Sequence, residues 1–386
     1  MDIKHHIKTY DYGLFLAVLL CAAFGVVMVY AAANAPATPP LIVRMFGEHY
    51  VRQRFFVISG TLLMILFSFV NYRFIGRFFV YIYVFMITLL IVALIIGADD
   101  ATGTARWLWL PVPFVGPLSM QPSEFSKLFM IIVLAKAFAL ADERVNHPLW
   151  LIGFVAISAL PVFLVAEQPS LSAALVILTI ALTVLFVAGL KTRIILFGLA
   201  VVIPLLIIAW GDLNREEPVI VSRFLAEFQM QRLQTFLNPV PGSDEFRQTE
   251  GSLYAISTGG LTGAGFLQNP HIIHGHNDFI FAVISAQFGF VGGLILLFLM
   301  FYVILRCAFI AVNAKDKEGR LIAGGVAGML IFETFFHVGV VTNLLPNTGM
   351  PFPFVSYGGS MIWVHMIAVG ICLNVHSSSK EPKILF

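Results

Sequence analysis

Apolar runs of about the twenty residues that an α-helix needs to cross a hydrocarbon core alternate along the chain with short polar breaks. Bounded by charges, proline or glycine, they predict ten membrane helices at 12–33, 52–70, 76–97, 122–141, 149–166, 171–190, 194–211, 278–305, 321–343 and 359–376. An even number puts both termini on one side. Thirteen of the 23 lysines and arginines (Lys4, Lys8, Arg73, Arg77, Arg144, Lys191, Arg193, Arg306, Lys315, Lys317, Arg320, Lys380 and Lys383) fall on that side, mostly in short loops. The positive-inside rule therefore predicts cytoplasmic termini. The expected fold is all-α and polytopic, one domain over residues 1–386 with a long extracytoplasmic loop at 212–277 between the seventh and eighth helices.

Composition excludes the other classes. Charged residues are 11% and hydrophobic residues 59% of the chain, against about 25% charged in soluble domains. A net charge of +2 with no basic block argues against disorder and against a nucleic-acid surface. Cys21, Cys307 and Cys372 are scattered through apolar runs, so neither a disulfide nor a thiolate metal site is expected. The first apolar run is too long for a signal peptide and lacks a cleavage site. The long loop is the polar part: 212–250 holds 11 of the 44 charges. Within it, 219–237 is loosely amphipathic, with Phe224, Leu225, Phe228 and Phe236 on one side, as in a helix lying at the interface.

Ionisable groups in or at the ends of spans are costly and mark a pathway or a site. Four polar elements qualify, all on the predicted outer side. Gln121-Pro-Ser-Glu-Phe-Ser-Lys127 opens the fourth span, with Glu124 and Lys127 three apart on one helix face. Alone it would be a helix start with an interfacial ion pair. Glu167-Gln-Pro-Ser170 breaks the chain between the fifth and sixth spans. Asp278 heads the eighth span, as an N-cap or, if buried in the mouth of a bundle, as a general base. The segment from Leu345 to Gly359 carries three prolines and three glycines yet is mostly apolar, which predicts a re-entrant loop lining a cavity. Convergence on one side suggests a cavity holding a carboxylate, an ammonium and a second carboxyl.

His271, His274 and His276 lie within six residues, a spacing that could hold a divalent cation, although loop histidines more often serve as polar contacts or pyrophosphate donors. No other cofactor is indicated. The glycine run 259–265 lacks the Lys-Ser/Thr ending of a phosphate loop and reads as close backbone packing.

These residues resemble the SEDS family of bacterial cell-wall polymerases (RodA, FtsW and SpoVE types). The resemblance spans the whole chain: Arg106-Trp107 before Gln-Pro-Ser-Glu-Phe-Ser-Lys, the Gln168-Pro turn, Ala255 to Gly265, Asn277-Asp-Phe-Ile-Phe-Ala-Val283, and Thr348-Gly-Met-Pro-Phe-Pro-Phe-Val-Ser-Tyr-Gly-Gly359. It implies a peptidoglycan glycosyltransferase that polymerises lipid II at the outer face of the bacterial cytoplasmic membrane. Its implied partners are a class B penicillin-binding protein and membrane lipids, and division or elongation is left open. By motif, Asp278 corresponds to the catalytic aspartate, Glu124 and Lys127 to the cavity pair, His276 to a loop position, and Ser356, Tyr357 and Gly358 to the cavity loop. A sugar 4-hydroxyl attacking an anomeric carbon needs a base, for which Asp278 is the candidate. The leaving pyrophosphate needs cations, for which Lys127, Arg106 and Arg232 are the candidates.

Three departures stand out. Ser170 replaces an aspartate, leaving Glu167 as the neighbouring carboxylate; Ala286-Gln-Phe-Gly289 replaces a Glu-Glu-Leu-Gly stretch; and Glu333 and His337 stand where amides are usual. A lipid-linked precursor flippase and a non-catalytic scaffold for the penicillin-binding partner are the competing functions. A flippase requires polar residues that continue to the inner side, and off the outer cluster only Lys136, Glu333 and His337 are available.

Overall fold

The computed structural model describes residues 7–33, 48–99, 105–112, 116–168, 170–213, 215, 218–219, 221–223, 225, 227–243, 246–268, 272 and 275–380. Each of the ten apolar runs forms a helix. They are α1 (Tyr12–Ala33), α2 (Glu48–Phe69), α4 (Phe79–Ile96) after the short α3 (Tyr72–Arg77), α5 (Pro122–Ala141), α6 (Pro148–Glu167), α7 (Leu171–Val187), α8 (Thr192–Leu213), α11 (Ile280–Val312), α12 (Lys317–Val341) and α13 (Gly359–Ser379). Eight of them are long and apolar enough to cross a membrane. The two that fall short are α5, which carries Glu124, Lys127 and Lys136, and α7, which has 17 residues. The chain is thus a multi-pass, predominantly helical membrane protein.

Burial separates central from peripheral helices. Nearly all of α13 is buried, whereas the described side chains in the apolar part of α8 are exposed or half-buried. An all-round apolar helix suits either place, since lipid and protein interior are equally dry.

Between α4 and α5 the chain forms an antiparallel ribbon, β1 (Ala98–Asp99), β2 (Ala105–Val112) and β3 (Gly116–Met120), paired in that order. Helix counting does not anticipate it. The alternating Trp107-Leu-Trp-Leu110 stretch has the period of a strand, and Leu108 pairs with Met120 directly before α5 begins. In the long loop, the amphipathic stretch 219–237 is shorter as a helix than expected: a single 3-10 turn at Val221–Arg223 precedes α9 (Glu227–Leu237), and α10 (Arg247–Gly259) follows.

Ion pairs fasten one end of the bundle, the end that carries the chain termini. Asp11 binds Arg306 on α11, and Lys136 on α5 lies 2.8 Å from Glu318 on α12. Lys136 is therefore held in an ion pair rather than extended toward water. Asp316 caps α12 through the Gly319 N–H (2.8 Å) and accepts from Tyr72 Oη (2.8 Å) and Arg73 Nε (2.6 Å). Burial alone would raise the Asp316 carboxyl, but the Gly319, Arg73 and Tyr72 hydrogen bonds outweigh it and hold it below the usual carboxylate range. A depressed folded-state value means the contribution is complete above the unfolded aspartate's pKa and is lost as pH falls through the folded one. Thermal midpoints of solubilised protein should therefore fall less steeply below about pH 4 for Asp316→Asn than for the parent.

The glycine run has a defined role at the kink of α11. Gly289 sits at φ 66°, ψ −166° in the middle of this helix, breaking its ladder. The groups left over are paired by the run: Ala264 and Gly265 N–H donate to Ala286 and Gln287 carbonyls, while Phe290 and Val291 N–H donate to Gly260 and Leu261 carbonyls. These backbones approach so closely that a Cβ on Gly289 would lie 2.4 Å from Gly263 N and Leu261 O. Gly289→Ala should cost more than about 2 kcal/mol, through both the positive φ and the clash. Gly153→Ala, where no atom lies within 4 Å of the new methyl, is the control and should leave the thermal midpoint unchanged or raised.

Candidate active site

The four polar elements expected on the outer side meet at the end of the bundle opposite those ion pairs. There they enclose a cavity of about 180 Å³, lined among others by Trp107, Gln121, Glu124, Lys127, Ser170, Gln229, Arg232, Asn277, Asp278, Pro346–Pro351 and Tyr357–Met361.

The loop between α12 and α13 is the re-entrant segment, and its apolar side chains are the anchor. Met350, Phe352, Phe354 and Val355 are buried, with Phe352 stacked on Phe281 of α11 at 6.1 Å. Its backbone polar groups are satisfied by side chains from several helices, as non-helical backbone at membrane depth requires. His337 Nδ1 bonds Met350 O (2.7 Å), Gln53 Nε2 of α2 donates to Ser356 O (3.1 Å), and Ser356 Oγ donates to Asn277 O (2.7 Å) while accepting from Phe352 N–H. Tyr357 N–H donates to His276 O (2.9 Å). Ser356 thus braces the loop against the residue before Asp278 and does not line the cavity; Tyr357 and Gly358 do.

Asp278 precedes Phe279, which occupies the N-cap position of α11 without a side-chain cap bond. Its carboxylate instead faces the loop at Gly349. A Cβ built there would lie 3.2 Å from Asp278 Oδ2 and 3.8 Å from Arg232 Nη1. Gly349, at φ +70°, therefore brings the Asp278 carboxylate and the Arg232 guanidinium of α9 against one small patch of backbone. Any side chain at 349 would intrude between them.

Elsewhere in the lining, Lys127 is 2% exposed and held by two carboxylates: Nζ lies 2.7 Å from Glu124 Oε1 and 2.8 Å from Glu333 Oε1. Glu333 continues to His365 of α13, whose Nε2 is 2.5 Å from Glu333 Oε2. Glu333 therefore belongs to the outer cluster, not to a path leading inward. The sequence places it 206 positions from Lys127, and only the packing of α12 on α5 brings them together. His365 was not singled out from the sequence; an ionisable residue inside the last span was the available signal.

Other expected residues are placed as follows. Ser170 lines the cavity, whereas Glu167 is exposed and outside the lining, so it does not stand in for a carboxylate there. Gln168 is buried and donates to Leu90 O (2.9 Å). His276 packs in an aromatic cluster with His49 and Tyr357, ring centroids 4.7 and 5.7 Å away, beside the cavity and not in its lining. Arg106 lies on β2, next to the lining residue Trp107, and its side chain is outside the described residues. His271 and His274 are likewise outside them. Among the described residues, no three His, Cys, Asp or Glu side chains converge as a cation site.

A family model described as "Cell cycle protein", named for FtsW, RodA and SpoVE, matches residues 12–381. The chain belongs to this family. Among its relatives, the probable peptidoglycan glycosyltransferase FtsW of Bacillus subtilis is 29% identical over 99% of this chain and 95% of its own. The peptidoglycan glycosyltransferase MrdB of Escherichia coli is 34% identical over 78% of each chain. Among solved structures, a chain of a peptidoglycan synthase complex that coordinates polymerization and crosslinking matches with a TM-score of 0.76 and 28% identity, covering 97% of this chain and 99% of that one.

Proposed function

We propose that this family member is a peptidoglycan glycosyltransferase that polymerises lipid II in the bacterial cytoplasmic membrane. The observation that carries the reading is the meeting of Asp278 and Arg232 over Gly349 in the wall of the cavity. With ten spans and cytoplasmic termini the cavity opens at the outer face, a reading that the basic loops at the opposite end support.

In the reaction, the acceptor sugar's 4-hydroxyl attacks the donor's anomeric carbon, and the bond from that carbon to the lipid pyrophosphate breaks with inversion. Asp278 takes the hydroxyl proton. Arg232, with its planar fork of donors, meets the charge that develops on the pyrophosphate oxygens. Lys127 is committed to two carboxylates and shapes its part of the wall by fixing Glu124. Tyr357, Gly358 and the backbone of the 346–351 loop shape the space for the sugars.

Partnership with a class B penicillin-binding protein is supported by the likeness to the synthase complex. The polar cluster ends at Glu333 and His365, which argues for chemistry at one face rather than transport. Purified protein with its partner and lipid II should form glycan chains, and the same protein in liposomes should not flip the lipid. Flipping without polymerisation would sink the proposal, and neither activity would favour a scaffold.

A further inference from the structure

Glu124, Lys127, Glu333 and His365 form one hydrogen-bonded chain in which no member is more than 6% exposed. Its inner half has a proton count fixed by geometry. His365 Nδ1 is 2.6 Å from Met361 O, a carbonyl that can only accept, so Nδ1 carries a proton. His365 Nε2 is 2.5 Å from Glu333 Oε2, and two acceptors at that distance need a proton between them. Whether that proton rests on nitrogen or oxygen, Glu333 and His365 together are neutral. Lys127 and Glu124 then close the chain at zero net charge. Without the shared proton, the cavity wall would carry one uncompensated negative charge, opposing an anionic diphosphate.

We propose that Glu333 and His365 are positioning residues for the glycosyl transfer: they hold the Lys127 ammonium against Glu124 while keeping that wall of the cavity electrically neutral. Neither lines the cavity, so they act through Lys127. The proposal rests on the cavity being the seat of the lipid-linked diphosphate sugar.

Three variants test it with lipid II as substrate. His365→Asn cannot carry the shared proton, so KM should rise about tenfold with a smaller change in kcat. Glu333→Gln removes the charge together with the need for its proton, so KM should change by less than about threefold. The double variant should resemble Glu333→Gln, recovering most of what His365→Asn lost. Losses that multiply, or a Glu333→Gln loss as large as that of His365→Asn, would overturn the proposal. If His365→Asn does not accumulate but the double variant does, the same compensation is read in stability; if neither accumulates, the proposal fails. Asp278→Asn in the same assay reports on the cavity reading alone. Should that reading fail, the coupling between positions 333 and 365 is still measured in the thermal midpoint.

Discussion

Asp278→Asn is expected to lower the polymerisation rate by a factor on the order of 10³ while leaving the protein folded. Asparagine keeps the shape of the side chain but cannot take a proton from an attacking hydroxyl. The fold does not depend on the carboxylate as a cap, because the N-cap of α11 is Phe279. The loop facing it is fastened by Gln53, His337 and Ser356, none of which the substitution touches. Polymerisation time courses with lipid II, read as glycan product on gels beside a thermal midpoint, separate chemistry from folding. A parental rate from correctly inserted Asp278→Asn would remove Asp278 from the mechanism.

Lys127→Met should have the largest effect on stability, about 3–5 kcal/mol, because it strands Glu124 without a cation in the interior and leaves Glu333 only the proton it shares with His365. Methionine fills nearly the same volume, so packing is not the variable. In the parent the ammonium lies within 2.8 Å of both carboxylates, 6% and 2% exposed, and is the sole partner that offsets the charge of Glu124 in this chain, whereas Glu333 also has His365. A much lower thermal midpoint, or failure to accumulate in the membrane, is the expected result. A midpoint equal to the parent's would show that the two carboxylates become neutral there at negligible cost.

The parts of this site that were legible in the sequence are those set by local spacing. Glu124 and Lys127 are three residues apart on a helix, Asp278 heads an apolar run, and the proline- and glycine-rich 345–359 segment could not be helix. The partners that complete the site are set by tertiary packing. Glu333 reads as a lone carboxylate deep in a span until α12 is laid against α5, and His365 reads as a single ionisable residue in the apolar middle of the last span. Glu167 illustrates the converse: adjacency to Ser170 along the chain suggested a substitute carboxylate, but it ends α6 on the exposed side of the break. The helices themselves were readable because bilayer thickness imposes a length. The β-ribbon was not, since nothing about a bilayer dictates the form of a loop.

The kink in α11 carries one more consequence. The Phe290 and Val291 amides donate to Gly260 and Leu261 rather than to their own helix, so slow hydrogen exchange at these two positions reports the docking of the long loop onto the helix that Asp278 precedes. They form a built-in gauge of whether that loop is seated.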